Sequence, residues 1–215
     1  MYTIGYVDED EGEVKKVARR LRDNFKVKSY DVSAGPGKDE LIDDIYNSDI
    51  DLLLVDFMMK DKGVVTYNGD EIAREYEKIR PEFPIIIFTN RETDAFPVVD
   101  DVNAIYDKEN LTREKKSHFI EILYKNILRY EGYVSQMKGK LENLIEKRVE
   151  QELSPSEKEE LFTLQLELGR LDKRSFAETP NHMLSDQNLD QLTALAKDAD
   201  ELLQEFLNKY GDASV

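Results

Sequence analysis

The chain has 215 residues and carries 46 Asp and Glu against 30 Lys and Arg, a formal charge of −16. The excess is even, with 20 basic against 28 acidic residues up to Tyr130 and 10 against 18 beyond it, whereas a protein that grips nucleic acid by neutralising phosphates needs a concentrated Lys/Arg face. The absence of cysteine removes disulfides, thiolate nucleophiles and Cys-based zinc sites, and the two histidines, His118 and His182, stand too far apart for metal-ligand spacing.

Taken in chain order, residues 3–7, 27–32, 51–56, 84–89 and 103–107 are strand-sized apolar runs, several rich in Val, Ile and Tyr. Between them, residues 11–24, 39–48, 70–79 and 92–101 read as amphipathic helices. Leu52, Leu53, Leu54 and Val55 form a continuous apolar run, as do Ile85, Ile86, Ile87 and Phe88, and such runs are what a sheet covered on both faces requires. The alternation predicts an α/β fold: a doubly wound, five-stranded parallel sheet with right-handed crossovers, whose ligand sits at the carboxyl ends of the strands.

Those ends hold the chemistry. Strand one finishes in Asp8-Glu9-Asp10, strand three in Asp56, strand four in Thr89 and strand five in Asp107-Lys108. Carboxylates brought together repel one another and invite a hard divalent cation such as Mg²⁺. A lysine and a hydroxyl opposite them can stabilise the spread negative charge of a phosphoryl group. Other arrangements fit less well. Asp8 and Asp10 make an Asp-x-Asp pair like that of haloacid-dehalogenase phosphatases, but Gly12 stands where that pattern needs threonine. Gly35-Pro36-Gly37 lacks the length and the Lys-Ser/Thr ending of a P-loop and reads as a turn. His118 reads as a helix-surface histidine and His182 as a loop residue.

With these residues in place, residues 1–130 resemble the receiver domain of bacterial response regulators, a flavodoxin-like fold. The resemblance implies that Asp8 and Glu9 match the acidic pair that binds Mg²⁺, with Glu where the second Asp is usual, leaving open whether Glu9 or Asp10 is the second ligand. It further implies that Asp56 is the phospho-accepting aspartate and a metal ligand, that the backbone carbonyl of Met58 completes the metal set, and that Thr89 and Lys108 are the family's hydroxyl and lysine. Asp56 would then attack a phosphohistidine on a histidine kinase or phosphotransfer protein. The chain would act as a switch rather than an enzyme, beyond self-phosphorylation and autodephosphorylation. Four positions depart from the pattern: Glu109 follows Lys108 where proline is usual, Asn90 follows Thr89 where a small residue is common, Ile105 stands at the aromatic switch position beside Tyr106, and residues 60–68 are longer than the usual turn before Gly69. The alternatives are an unphosphorylated pseudo-receiver serving as a scaffold or adaptor and a Mg²⁺-dependent phosphatase or transferase.

Beyond residue 112 the strand signals stop. Ile120, Leu123, Ile127, Tyr130, Val134, Met137, Leu141 and Leu144 follow the 3,4 spacing of a coiled-coil seam, so the last receiver helix is expected to continue to about Leu153, roughly 40 residues or 60 Å. Ser154-Pro155-Ser156-Glu157 supplies an N-cap, a proline at the first helical position and a capping-box glutamate. A second helix follows through Leu161, Leu164, Leu168 and Leu171. Residues 176–184 read as a loop, and Ser185 caps a third helix closed by Gly211. The expected second region, residues 131–215, is thus an all-α coiled coil or helical bundle. Part of the long seam is expected to remain open for a homodimer or a helical partner. The first ten residues offer no apolar core for a signal peptide, and no apolar run reaches the roughly 20 residues of a bilayer span. A soluble cytoplasmic protein with no membrane or nucleic-acid partner is expected.

Overall fold

The computed structural model describes residues 1–61, 63–90, 92–99, 104–112 and 114–171. The loop at 176–184, His182, the Ser185-capped helix and Gly211 lie outside the described residues, as do Lys62, Asn103 and the end of the helix expected over 92–101. Contacts divide the chain into two compact units, Met1–Gln136 and Met137–Val215.

In the first unit, β1 (Thr3–Val7), β2 (Lys26–Tyr30), β3 (Leu52–Val55), β4 (Ile85–Thr89) and β5 (Ile105–Asp107) form one five-stranded sheet in the order β2-β1-β3-β4-β5. Every pairing is parallel. The connecting helices are α1 (Glu11–Leu21), α2 (Lys38–Tyr46), α3 (Gly69–Ile79) and α4 (Glu92–Ala95), and a 3-10 turn (Lys108–Leu111) leads from β5 toward α5 (Lys116–Glu150). This is the flavodoxin-like topology.

Side chains alternate across a strand, and that alternation divides the core. Ile4 and Tyr6 of β1, Leu52 and Leu54 of β3, and Ile86 and Phe88 of β4 share one cluster with Val17 and Leu21 of α1 and Phe119, Leu123 and Ile127 of α5. The intervening Leu53, Val55 and Ile87 point the other way and are equally buried, toward the side on which Ile72 and Tyr76 of α3 are buried. The two unbroken apolar runs are therefore the strands covered on both faces, as the sequence predicts.

Local chemistry sets the helix starts. Asp10 Oδ1 accepts the backbone N–H groups of Gly12 and Glu13 at 2.7 and 3.2 Å and so caps α1. Gly35, with φ +66°, supplies the left-handed turn before α2. Glu71 Oε1 accepts the Asn68 N–H at 3.2 Å at the start of α3. The fourth helix is shorter than the expected 92–101 and stops at Ala95. Pro97 lacks an amide donor and disfavours helical backbone at Phe96, and the N–H groups of Val98 and Val99 close the turn on Ala95 O at 3.1 and 3.0 Å.

Helix α5 has 35 residues and passes through the boundary between the units. Six of the eight expected seam positions are buried, Leu123, Ile127, Tyr130, Val134, Met137 and Leu144, while Ile120 and Leu141 are half-buried. Leu123 and Ile127 pack into the sheet core, and the Tyr130 ring meets Phe83 at 5.4 Å, its hydroxyl accepting Arg80 Nε–H at 3.1 Å. The first half of this stripe therefore serves as the core-facing stripe of the sheet unit, while Ile120 and Leu141 keep part of their surface exposed.

In the second unit, α6 (Pro155–Leu171) starts where the sequence predicts, with Leu161, Leu164, Leu168 and Leu171 buried. Ser154 N–H donates to Glu157 Oε2 at 2.9 Å, and Glu157 N–H donates back to Ser154 Oγ at 3.4 Å, the reciprocal pair of a capping box. Lys147 near the end of α5 pairs with the same glutamate. Among the described residues no helix is long and apolar enough to cross a membrane.

Candidate functional site

Because β1 lies between β2 and β3, and β4 and β5 follow on the same side, the carboxyl ends of four strands meet at one rim. Val7 is in register with Val55, Val55 with Ile87, and Thr89 with Asp107. Asp8 and Asp56, one residue past β1 and β3, are therefore neighbours, tied by the Asp56 N–H to Val7 O bond at 2.8 Å.

Asp8, Asp56, Thr89 and Lys108 are all buried, at 4%, 5%, 1% and 8% exposure. Lys108 Nζ lies 2.7 Å from Asp8 Oδ2 and 2.6 Å from Asp56 Oδ1, bridging the two carboxylates. Asp10 N–H donates to Asp8 Oδ1 at 2.8 Å, and Met58 N–H donates to Asp56 Oδ2 at 3.0 Å. The Tyr6 hydroxyl donates to Asp8 Oδ2 as well. Burial pushes the Asp56 carboxyl above its ordinary pKa, opposed chiefly by the charge of Lys108. Burial alone would lower the Lys108 ammonium, but the attraction of Asp56 and Asp8 outweighs it and holds the group above its ordinary value.

Asp8, Glu9 and Asp56 each offer a carboxylate oxygen, all within 4.8 Å of one another. The oxygens these three residues offer are hard donors, which suits Mg²⁺. Asp10 belongs to the same acidic run, but its Oδ1 caps α1. Thr89 stands at the end of β4 beside this cluster's strand, with Asn90 exposed immediately after it. His118 is exposed on α5.

Two residues that sequence reasoning passed over shape the site. Tyr6 lies two positions before Asp8, hence on the same strand face, and that spacing was the available signal. Gly69 opens α3 where an added Cβ would stand 2.0 Å from the Asp56 carbonyl oxygen and 2.7 Å from Val55 Cγ1. Only glycine lets α3 approach the aspartate's backbone so closely.

No protein-family model and no curated protein matches the chain. Solved structures do match, and they are mostly CheY-like response regulator receiver domains. A structure described as an adenylate cyclase from Rhodopirellula baltica aligns with 19% identity and a TM-score of 0.50, over 64% of this chain and 97% of that one. A CheY-like response regulator receiver domain from Methanospirillum hungatei aligns with 20% identity and a TM-score of 0.42, over 59% of this chain and 96% of that one. The response regulator TrrA of Thermotoga maritima, in complex with Mg²⁺ and BeF, aligns with 18% identity and a TM-score of 0.43, over 59% and 99%. At these identities the likeness is one of fold.

Proposed function

We propose that the chain is a response-regulator-like signalling protein in which residues 1–130 accept a phosphoryl group on Asp56 and residues 131–215 carry the state to another protein. The observation that supports this most is the buried Lys108 ammonium within 2.7 Å of carboxylates from two different strand ends. A carboxylate of Asp56 attacks the phosphorus of a phosphohistidine on a histidine kinase or phosphotransfer protein. The new O–P bond forms as the P–N bond breaks, and the imidazole nitrogen leaves with the electron pair. Lys108 and the Thr89 hydroxyl would then meet the phosphoryl oxygens. Asp8, Glu9, Asp56 and the Met58 carbonyl would hold Mg²⁺, which supplies charge neutralisation at those oxygens.

Lys108 opens the 3-10 turn that ends in Leu111, and Leu111 packs in the same cluster as Phe119 and Leu123 of α5. A lysine drawn toward a phosphoryl group therefore pulls on the packing of the long helix, a physical route from Asp56 to the helical region. The output is a helical protein contact or a homodimer. Exposed apolar side chains of α5 that could serve it include Leu128 and Tyr133. The charge of −8 on each side of Tyr130 argues against a nucleic-acid output.

Purified protein incubated with Mg²⁺ and a small acyl-phosphate donor should gain one phosphoryl mass, and Asp56→Asn should gain none. A base-labile phosphate that persists in the Asp56→Asn protein would place the acceptor elsewhere. A wild-type chain that takes up none would leave the scaffold reading, in which the receiver-like unit docks partners without chemistry.

A further inference from the structure

The buried hydroxyl of Tyr6 has no part in the phosphoryl chemistry above, yet it reaches into that site. Tyr6 is wholly buried on β1. Its ring stands edge-on to Phe88 with centroids 6.4 Å apart, and Phe88 stacks on Phe119 at 5.1 Å with an interplanar angle of 12°. The ring is thus fixed between β1, β4 and α5, and its hydroxyl donates to Asp8 Oδ2. A tyrosine phenol is a neutral hydrogen-bond donor at neutral pH.

This leaves Asp8 with three donors. Oδ1 takes the Asp10 N–H, and Oδ2 takes both Lys108 Nζ and the Tyr6 hydroxyl. A carboxylate has about four lone-pair sites, so little of Asp8 is left for a cation. Lys108 can move, since it ends a flexible stem and also serves Asp56. The Tyr6 oxygen cannot leave without swinging a packed aromatic ring out of its place beside Phe88.

We propose that Tyr6 is a positioning residue that fixes Asp8 Oδ2 and, by occupying one of its lone pairs, weakens the affinity of the acidic cluster for a divalent cation. The inference rests on the reading of Asp8, Glu9 and Asp56 as a Mg²⁺ site. A donor on a ligand oxygen draws off the electron density a metal would use. Without the donor that competes for the same lone pairs, the buried carboxylate has more to gain from the cation.

The test is Tyr6→Phe, which keeps the ring and its contact with Phe88 and removes only the hydroxyl. Mg²⁺ binding to the full chain would be measured by calorimetry, and thermal unfolding followed with and without Mg²⁺. The expected result has two parts. The variant is less stable than wild type without metal, and it binds Mg²⁺ about fivefold to tenfold more tightly, the change expected from losing part of a charge-assisted hydrogen bond. A purely structural tyrosine would lower stability and leave Mg²⁺ affinity equal or weaker, and that outcome overturns the inference. Tyr6→Leu separates the effects further, because it should lose more stability and still gain affinity. If wild type binds no Mg²⁺, the metal reading fails and this inference with it. If wild type binds and Tyr6→Phe binds no more tightly, only the role of Tyr6 fails.

Discussion

Lys108→Met removes, among the described residues, the one charge that bridges Asp8 and Asp56 while keeping a side chain of similar length. The two carboxylates, 4% and 5% exposed, would then face each other with no ammonium between them. Removing one partner of a buried ion pair costs about 3–5 kcal/mol, because the remaining charge is left uncompensated. For a unit of this size that corresponds to a fall of roughly 10–15 °C in the unfolding midpoint near neutral pH.

Two further signs distinguish this cause from loss of packing. The folded-state pKa of Asp56 already lies above its ordinary value, and removing the opposing Lys108 charge raises it further. A carboxyl raised on folding opposes stability increasingly as pH rises from its unfolded pKa through its folded one. The deficit of the variant should therefore be largest at neutral pH and shrink as the buffer is made more acidic. Mg²⁺ at about 100 times its dissociation constant returns roughly 2.7 kcal/mol to whatever form binds it. Because Lys108 no longer competes for Asp8 Oδ2 and Asp56 Oδ1, the variant should gain more from Mg²⁺ than wild type does. Calorimetric unfolding across pH, with and without Mg²⁺, reads all three. A variant as stable as wild type at neutral pH without Mg²⁺, or a deficit that grows in acid, would refute the buried bridge.

Gly69→Ala should cost about 1–3 kcal/mol or more, as overpacking does, because the new methyl would meet the Asp56 carbonyl oxygen at 2.0 Å. Since relief must move either α3 or the Asp56 backbone, phosphoryl uptake should fall with stability, and a variant that keeps both refutes the close approach. Glu157 is held down to a pKa of about 2 by its bond to Lys147 and then by Ser154. A depressed carboxyl contributes stability above its unfolded value and loses it as pH falls through the folded one, so the start of α6 should loosen between about pH 4.5 and 2. A carboxyl titration of Glu157 by NMR with an ordinary midpoint would refute the cap.

How much of this could be read beforehand divides along a physical line. The strands with continuous apolar runs, β3 and β4, and the capping box at Ser154 announce themselves because the cause lies within a few adjacent residues. The early end of α4 is also local, set by Pro97 inside the helical pattern over 92–101. The seam is a different matter. A 3,4 apolar spacing says that a helix has a stripe to bury and nothing about what covers it, so Leu123 and Ile127 read equally well as dimer contacts and as the inner face of a receiver helix. Likewise Asp8, Asp56, Thr89 and Lys108 could be nominated together because parallel topology brings strand ends to one rim. Tyr6 shares a strand face with Asp8, which is a local signal, but neither its role nor that of Gly69 follows from adjacent residues. Tyrosine is an ordinary strand residue, and its hydroxyl acquires a role only when Lys108, 102 positions later, arrives at the same oxygen. Glycine before a helix is an ordinary turn residue, and its missing side chain matters only because the Asp56 carbonyl occupies that space. In both cases the constraint is the close approach of two distant segments, so a substitution there acts on the site through packing that no local pattern encodes.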